Sequence, residues 1–113
     1  MADWSGLLHD EGAILASRGS VEVEGNTSIC QLVLTDRRIY IIVSRGLIAS
    51  VPVVIAEIPL EKLKDARITG KMVRCLQMDY LKKNLVKRIK FTSFDFEVRE
   101  LLEIIEEHAD NLG

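Results

Sequence analysis

The sequence predicts a mainly β fold (α+β): seven strands in a strongly bent antiparallel sheet or barrel, closed at one end by a single C-terminal amphipathic helix. Three observations carry this expectation. In residues 30–43 two β-rich runs flank a short polar turn. Cys30, Leu32 and Leu34 share one face of the first run, and Ile39, Ile41 and Val43 share one face of the second, the period-2 pattern of a half-buried hairpin. Further runs of this kind recur between residues 14 and 92, separated by breaks rich in Gly, Asn and Lys. From Asp95 the period becomes helical: Val98, Leu101, Leu102 and Ile105 form one apolar stripe, while Arg99, Glu100, Glu103, Glu106 and Glu107 form the wet face.

In chain order, residues 1–10 suggest a helical turn capped by Asp3, with Trp4 folded onto the sheet. Residues 14–23 read as the first strand, Gly12 marking its entry and Gly19 a kink or bulge. Residues 25–28 are a turn by composition, and Thr35 and Asp36 supply the turn of the central hairpin. Val33, Tyr40 and Ile42 lie on the opposite faces of that hairpin, so part of the second surface must be covered too. After Ser44-Arg45-Gly46 comes an apolar stretch, residues 47–53, that Pro52 bars from being an uninterrupted central strand. Residues 54–59 read as the fourth strand, 60–64 as a helical turn, 66–68 as the fifth strand, 72–80 as the sixth and 86–92 as the seventh. Gly70-Lys71 and residues 82–84 are the reversals between the last three. Asp95 is placed to cap the helix, which closes the strand region 11–94 and runs over residues 95–109.

A chain of 113 residues with 48% hydrophobic content is expected to form one domain, 1–113, with a core that needs no disulfide or metal. Cys30 and Cys75 lie in apolar runs without C-x-x-C spacing and read as reduced, buried thiols, a disulfide between them being the weaker alternative. No stretch approaches the roughly 18 apolar residues of a membrane span, and Asp3 and Trp4 stand where a signal peptide would carry a base. A cytoplasmic location follows as the expectation. The net charge of −2 hides a segregation: residues 1–36 carry one base against six acids, residues 37–90 thirteen bases against four acids, and residues 91–113 one base against seven acids. The middle segment could form an anion-attracting face through Arg37, Arg38, Lys82, Lys83, Lys87, Arg88 and Lys90, or could be a solvated face offset by the acidic helix.

The run Leu34-Thr35-Asp36-Arg37-Arg38-Ile39-Tyr40 resembles the pleckstrin-homology (PH)-like domains of the GRAM and bacterial PH type. The resemblance continues through residues 57–68, Ile89-Lys90-Phe91 and residues 97–102, so that it spans about Glu11 to Ala109. It implies a non-catalytic module that binds proteins, peptides or lipid headgroups, or that self-associates. One departure bears on ligand choice. Phosphoinositide-binding PH domains concentrate Lys and Arg around the loop joining their first two strands, whereas Val23-Glu24-Gly25-Asn26-Thr27-Ser28-Ile29 holds one acid and no base.

Catalysis is not expected. The chain has no G-x-S-x-G, H-E-x-x-H, phosphate-cradling Gly-rich loop or Cys/His cluster, and no cofactor is implied. His9, Asp10 and Glu11 could offer a metal two or three ligands, but adjacent positions rarely converge, so no metal site is expected either. Nucleic acid is disfavoured as a partner, because the basic segment holds only Tyr40 and Tyr80 as aromatics for base stacking and the pI is about 5.7. Two functions stay in competition. One is a protein-interaction or self-assembly module, here a homo-oligomer, that uses Leu47, Ile48, Val51 and Val53 as its contact surface. The other is peripheral binding of anionic membrane lipid through the basic strands.

Overall fold

A computed structural model describes residues 4–109, so the expected Asp3 cap lies outside the described residues. A short 3-10 turn, Ser5–Leu7, leads into seven strands: β1 (Ala13–Val23), β2 (Asn26–Thr35), β3 (Arg38–Arg45), β4 (Val51–Pro59), β5 (Leu63–Thr69), β6 (Cys75–Lys82) and β7 (Leu85–Ser93). A second 3-10 turn, Leu60–Lys62, joins β4 to β5, and helix α1 (Val98–His108) ends the fold. The strands form one antiparallel sheet in the order β4-β3-β2-β1-β7-β6-β5. Seven strands and one C-terminal helix are what the sequence predicts.

Two hairpins turn on adjacent left-handed residues. Glu24 and Gly25, at φ 51° and 82°, join the paired Val23 and Asn26; Lys83 and Asn84, at φ 52° and 65°, join the paired Lys82 and Leu85. Positive φ at both central positions matches the right-handed twist of the flanking strands. The first of these turns sits earlier than expected, because Asn26, Thr27 and Ser28 are already laddered to β1. At the β2–β3 reversal, Thr35 Oγ1 accepts from the backbone N–H of Arg37 (3.1 Å) and of Arg38 (3.0 Å), which closes the turn with a side chain.

Gly19 is not a bulge. It pairs in register with Cys30 on one side and Ser93 on the other, and a Cβ there would fall 2.2 Å from the Thr92 carbonyl oxygen and 2.6 Å from Phe91 Cζ. The glycine is needed because the neighbouring strand β7 brings the Thr92 carbonyl and the Phe91 ring against β1 at this point. The register shifts lie elsewhere, between Ala13 and Leu15, between Ile41 and Ile42 against β4, and between Leu63 and Asp65, and extra residues of this kind bend strands.

The concave side of the sheet encloses the main core, in which Leu32, Leu34, Ile39, Ile41, Ile58, Leu76, Met78, Ile89 and Phe91 are fully buried. Leu101 and Ile105 of α1 enter this core, and Val98 and Leu102 pack at its edge. The stripe predicted for the helix is therefore its contact face. Helix α1 starts later than expected, with Glu97 in the N-cap position and no side chain capping it. Asp95 is used instead to tie the incoming chain to β1, accepting from Arg18 N (2.7 Å) and Arg18 Nη2 (3.0 Å). Ser93 Oγ accepts from the N–H of Asp95 and Phe96 and so shapes the bend before the helix.

A second apolar cluster covers the outer face. Leu8, Val33, Tyr40 and Ile42 are buried there, with Trp4, Leu7 and Val54 packed around them. Thus the N-terminal segment supplies the cover that the two-sided hairpin requires. The sixth strand is shorter than the sequence suggests: Met72 and Val73 stand exposed in the β5–β6 loop, where Gly70 at φ 96° reverses the chain. A Cβ on Gly70 would lie 2.1 Å from the Val73 carbonyl oxygen, so the tight loop, not the ladder, claims these residues.

Candidate interaction surface and basic groove

The apolar stretch 47–53 divides in two. β4 begins at Val51, so only residues 46–50 form the β3–β4 loop. Pro52 is tolerated because β4 is an edge of the sheet, and it pairs there with Ser44. Leu47 and Ile48 are 106% and 103% exposed, and Val51 is 55% exposed. Val53 differs: it is half-buried and packs against the main core, so its side chain belongs mostly to the fold. Gly46 holds the loop in shape. Its φ is 129°, and a Cβ would lie 2.0 Å from the Ala49 carbonyl oxygen, a backbone contact that another residue could not keep.

Beside this loop, on the outer face of β1 to β4, lies a groove of about 450 Å³ lined by Trp4, Ile29, Gln31, Ile42, Pro52 and Phe94, with Arg18, Cys30 and Ser44 completing it. Ile29 and Phe94 are 69% and 57% exposed. The amide oxygen of Gln31 is buried and has no hydrogen-bond partner among the described residues. Sequence inspection misses this groove, since its walls come from six separate parts of the chain.

The basic residues do not gather into one site. Arg37 and Arg38 line a cleft with Pro59, Leu60 and His108. Lys82, Lys87, Arg88 and Lys90 line a different groove of about 660 Å³ with Tyr80, Glu22 and Glu24. Several of these cations are already paired. Arg38 bonds to Glu11 and lies 3.3 Å from Glu57, Arg88 lies 2.8 Å from Asp79, and Lys87 lies 3.7 Å from Glu24. Lys82 and Lys83 form no ion pair among the described residues. Arg88 beside it holds the Asp79 carboxyl below its usual range.

Around Arg38 the pairing becomes a polar clasp. Burial raises the pKa of Glu11, but hydrogen bonds from Thr35 and Tyr40 and the charges of Arg38 and Arg37 outweigh that and hold it below the ordinary value. His9 Nε2 lies 3.0 Å from Glu57 at the same place. Among the described residues no group of three or more His, Cys, Asp or Glu is arranged to hold a metal ion. Both cysteines are free thiols; Cys30 is buried, and Cys75, contrary to expectation, is only half-buried. No helix among the described residues is long and apolar enough to cross a membrane.

A bent seven-stranded antiparallel sheet with one C-terminal helix is a PH-like fold, and comparison with solved structures agrees. No sequence family model matches the chain, and no curated protein matches it. Among solved structures 29 chains match. One is described as "Vav1 inhibited by an allosteric inhibitor: Vav1 inhibitors block GEF activity"; the match has a TM-score of 0.66 at 12% identity and covers 93% of this chain. Vav1 contains a PH domain. This chain spans 28% of the length of that solved chain, and the likeness at this identity is one of fold.

Proposed function

We propose that this protein is a non-catalytic PH-like interaction module, of the GRAM or bacterial PH type, that associates with protein surfaces and foremost with further copies of itself. It acts through the β3–β4 loop. The observation that supports this most is the complete exposure of Leu47 and Ile48 on a loop whose shape Gly46 fixes. Connections run over the surface and are ordinarily polar, so two large aliphatic side chains standing in water favour a cover supplied by another chain. Val51 extends the patch along the sheet edge. The loop carries no Trp or Phe to anchor it at a bilayer interface, and its only base is the adjacent Arg45.

A second reading is peripheral binding of anionic headgroups at the cytoplasmic membrane surface, favoured by Lys82 and Lys83, which form no ion pair among the described residues beside the Lys87–Lys90 groove. Glu22, Glu24 and Asp79 offset much of its charge. Ionic strength separates the two. Headgroup attraction is screened within about 8–10 Å at physiological salt, whereas apolar association is not weakened by salt. The expected result is a solution mass above the monomer that is unchanged between roughly 0.05 M and 0.5 M salt, with no co-sedimentation with phosphatidylserine vesicles. Vesicle binding lost at high salt, with a monomeric mass throughout, would replace the first reading by the second.

A further inference from the structure

The loop tip and the apolar groove lie on one continuous stretch of surface. Ser44 and Pro52, which line the groove, are also the paired residues next to the base of the β3–β4 loop. A surface that carries an exposed apolar tip and an apolar-lined hollow side by side can be complementary to itself. Two copies related by a twofold axis can each place the tip in the other's hollow, so that the contact closes and does not propagate into a fibre.

We infer that the protein dimerises by this reciprocal docking: the Leu47 and Ile48 side chains of one copy enter the groove formed by Trp4, Ile29, Pro52 and Phe94 of the other. The inference rests on the self-association proposed above and specifies its partner surface. Three features support it beyond adjacency.

The first is the chemistry of the hollow. Among the described residues its only charged lining residue is Arg18, whose guanidinium is already engaged by Asp95 at 3.0 Å. An apolar tip meets no uncompensated charge there, and an anionic ligand finds no free cation. The second is Gln31, a lining residue whose amide oxygen is buried without a donor among the described residues. Such an acceptor calls for a partner. The backbone N–H groups of Leu47 and Ile48 form no hydrogen bond among the described residues, so an entering tip brings donors that the Gln31 amide can meet by turning toward the groove. The third is area. Leu47, Ile48, Val51, Ile29 and Phe94 together expose the equivalent of about four complete apolar side chains. At about 60–120 Å² each, and with an interface a little over half apolar, two copies would bury roughly 900–1,700 Å², which spans the ~1,000 Å² that a specific interface must clear.

The test uses two variants of the full chain, one altered at the tip (Leu47→Asp with Ile48→Asp) and one in the groove (Ile29→Asp with Phe94→Asp). All four side chains are more than half exposed, so both variants are expected to melt as the wild type does. Should the double groove variant melt early, Ile29→Asp alone serves in its place. Sedimentation equilibrium is expected to give a dimer for the wild type and a monomer for each variant alone. An equimolar mixture of the two variants should recover a heterodimer, at least about tenfold weaker than the wild type, because one of the two reciprocal contacts survives in it. A groove variant that dimerises as strongly as the wild type would overturn this docking mode while leaving loop-mediated self-association standing. A mixture that stays monomeric would likewise reject the tip-in-groove contact, and a monomeric wild type would reject self-association with it.

Discussion

Thr35 Oγ1 donates to the Glu11 carboxylate at 2.7 Å, a contact that fastens the segment before β1 to the β2–β3 turn. Around it the Tyr40 hydroxyl donates to the same carboxylate at 3.1 Å, and Arg38 pairs with it. The clasp holds the N-terminal cover over the outer apolar cluster of Val33, Tyr40 and Ile42. Replacing Thr35 by Val strips the turn of its side-chain acceptor and Glu11 of a donor, and should cost about 1–3 kcal/mol in denaturant melts. A loss smaller than about 0.5 kcal/mol would mean that the clasp is ornamental to stability.

Acid should loosen the same clasp. The Glu11, Asp79 and Asp95 carboxyls are held below their ordinary values in the folded state. The folded chain therefore binds fewer protons than the unfolded chain through the carboxylate range. The associated stabilisation is present above the unfolded carboxyl pKa and is lost as pH falls through the lowered folded values. Thermal midpoints should fall from neutral pH toward acid, and Glu11→Gln should flatten that fall. An equally steep acid limb in the variant would remove Glu11 from the account.

Gly19 should tolerate nothing larger. A Cβ there strikes the Thr92 carbonyl and the Phe91 ring, so Gly19→Ala must push β7 from β1 or displace a fully buried aromatic. The expected loss is about 1–3 kcal/mol or more, measured by chemical unfolding.

Helix α1 should prove integral to the domain. Leu101 and Ile105 are fully buried, and Leu101→Ala should cost about 2–5 kcal/mol. A chain cut before Asp95 that melted cooperatively at the wild-type temperature would contradict this.

The two thiols should differ in reactivity. Burial pushes Cys30 up to about 12, so almost no thiolate is present at neutral pH, whereas Cys75 is half-buried beside Thr69. In native buffer a thiol reagent should label Cys75 first and reach Cys30 only on unfolding. Equal rates would show that β2 opens locally.

Much of the fold was legible because its signals are periodic and local. Leu32, Leu34, Ile39 and Ile41 alternate with Val33, Tyr40 and Ile42 so clearly that both faces of the hairpin could be assigned, including the need for an outer cover. Leu101 and Ile105 likewise marked the inner face of α1. What sequence alone could not supply depends on pairs distant along the chain. Asp95 looks like a helix cap until β1 brings Arg18 beside it, 77 residues away. Gly19 looks like a bulge until β7 is paired beside it. Met72 and Val73 continue the alternation of β6, yet the geometry imposed by Gly70 removes them from the ladder. The candidate surface was legible in part for the same reason: Leu47 and Ile48 announce an unusual loop, but Ile29, Pro52 and Phe94 converge only in three dimensions.

The central claim is that the exposed β3–β4 loop exists to be covered by another chain. Its most direct test is the solution mass of the full chain across a concentration series, with and without Ile48→Asp and Val51→Asp. Both side chains point into water in the isolated chain, so the double variant should keep the monomer's melting behaviour. The prediction is a wild-type mass that rises with concentration to that of an oligomer, and a variant that stays at the monomer mass throughout. A wild-type mass that never exceeds the monomer, or a variant that oligomerises unchanged while still folded, would contradict it.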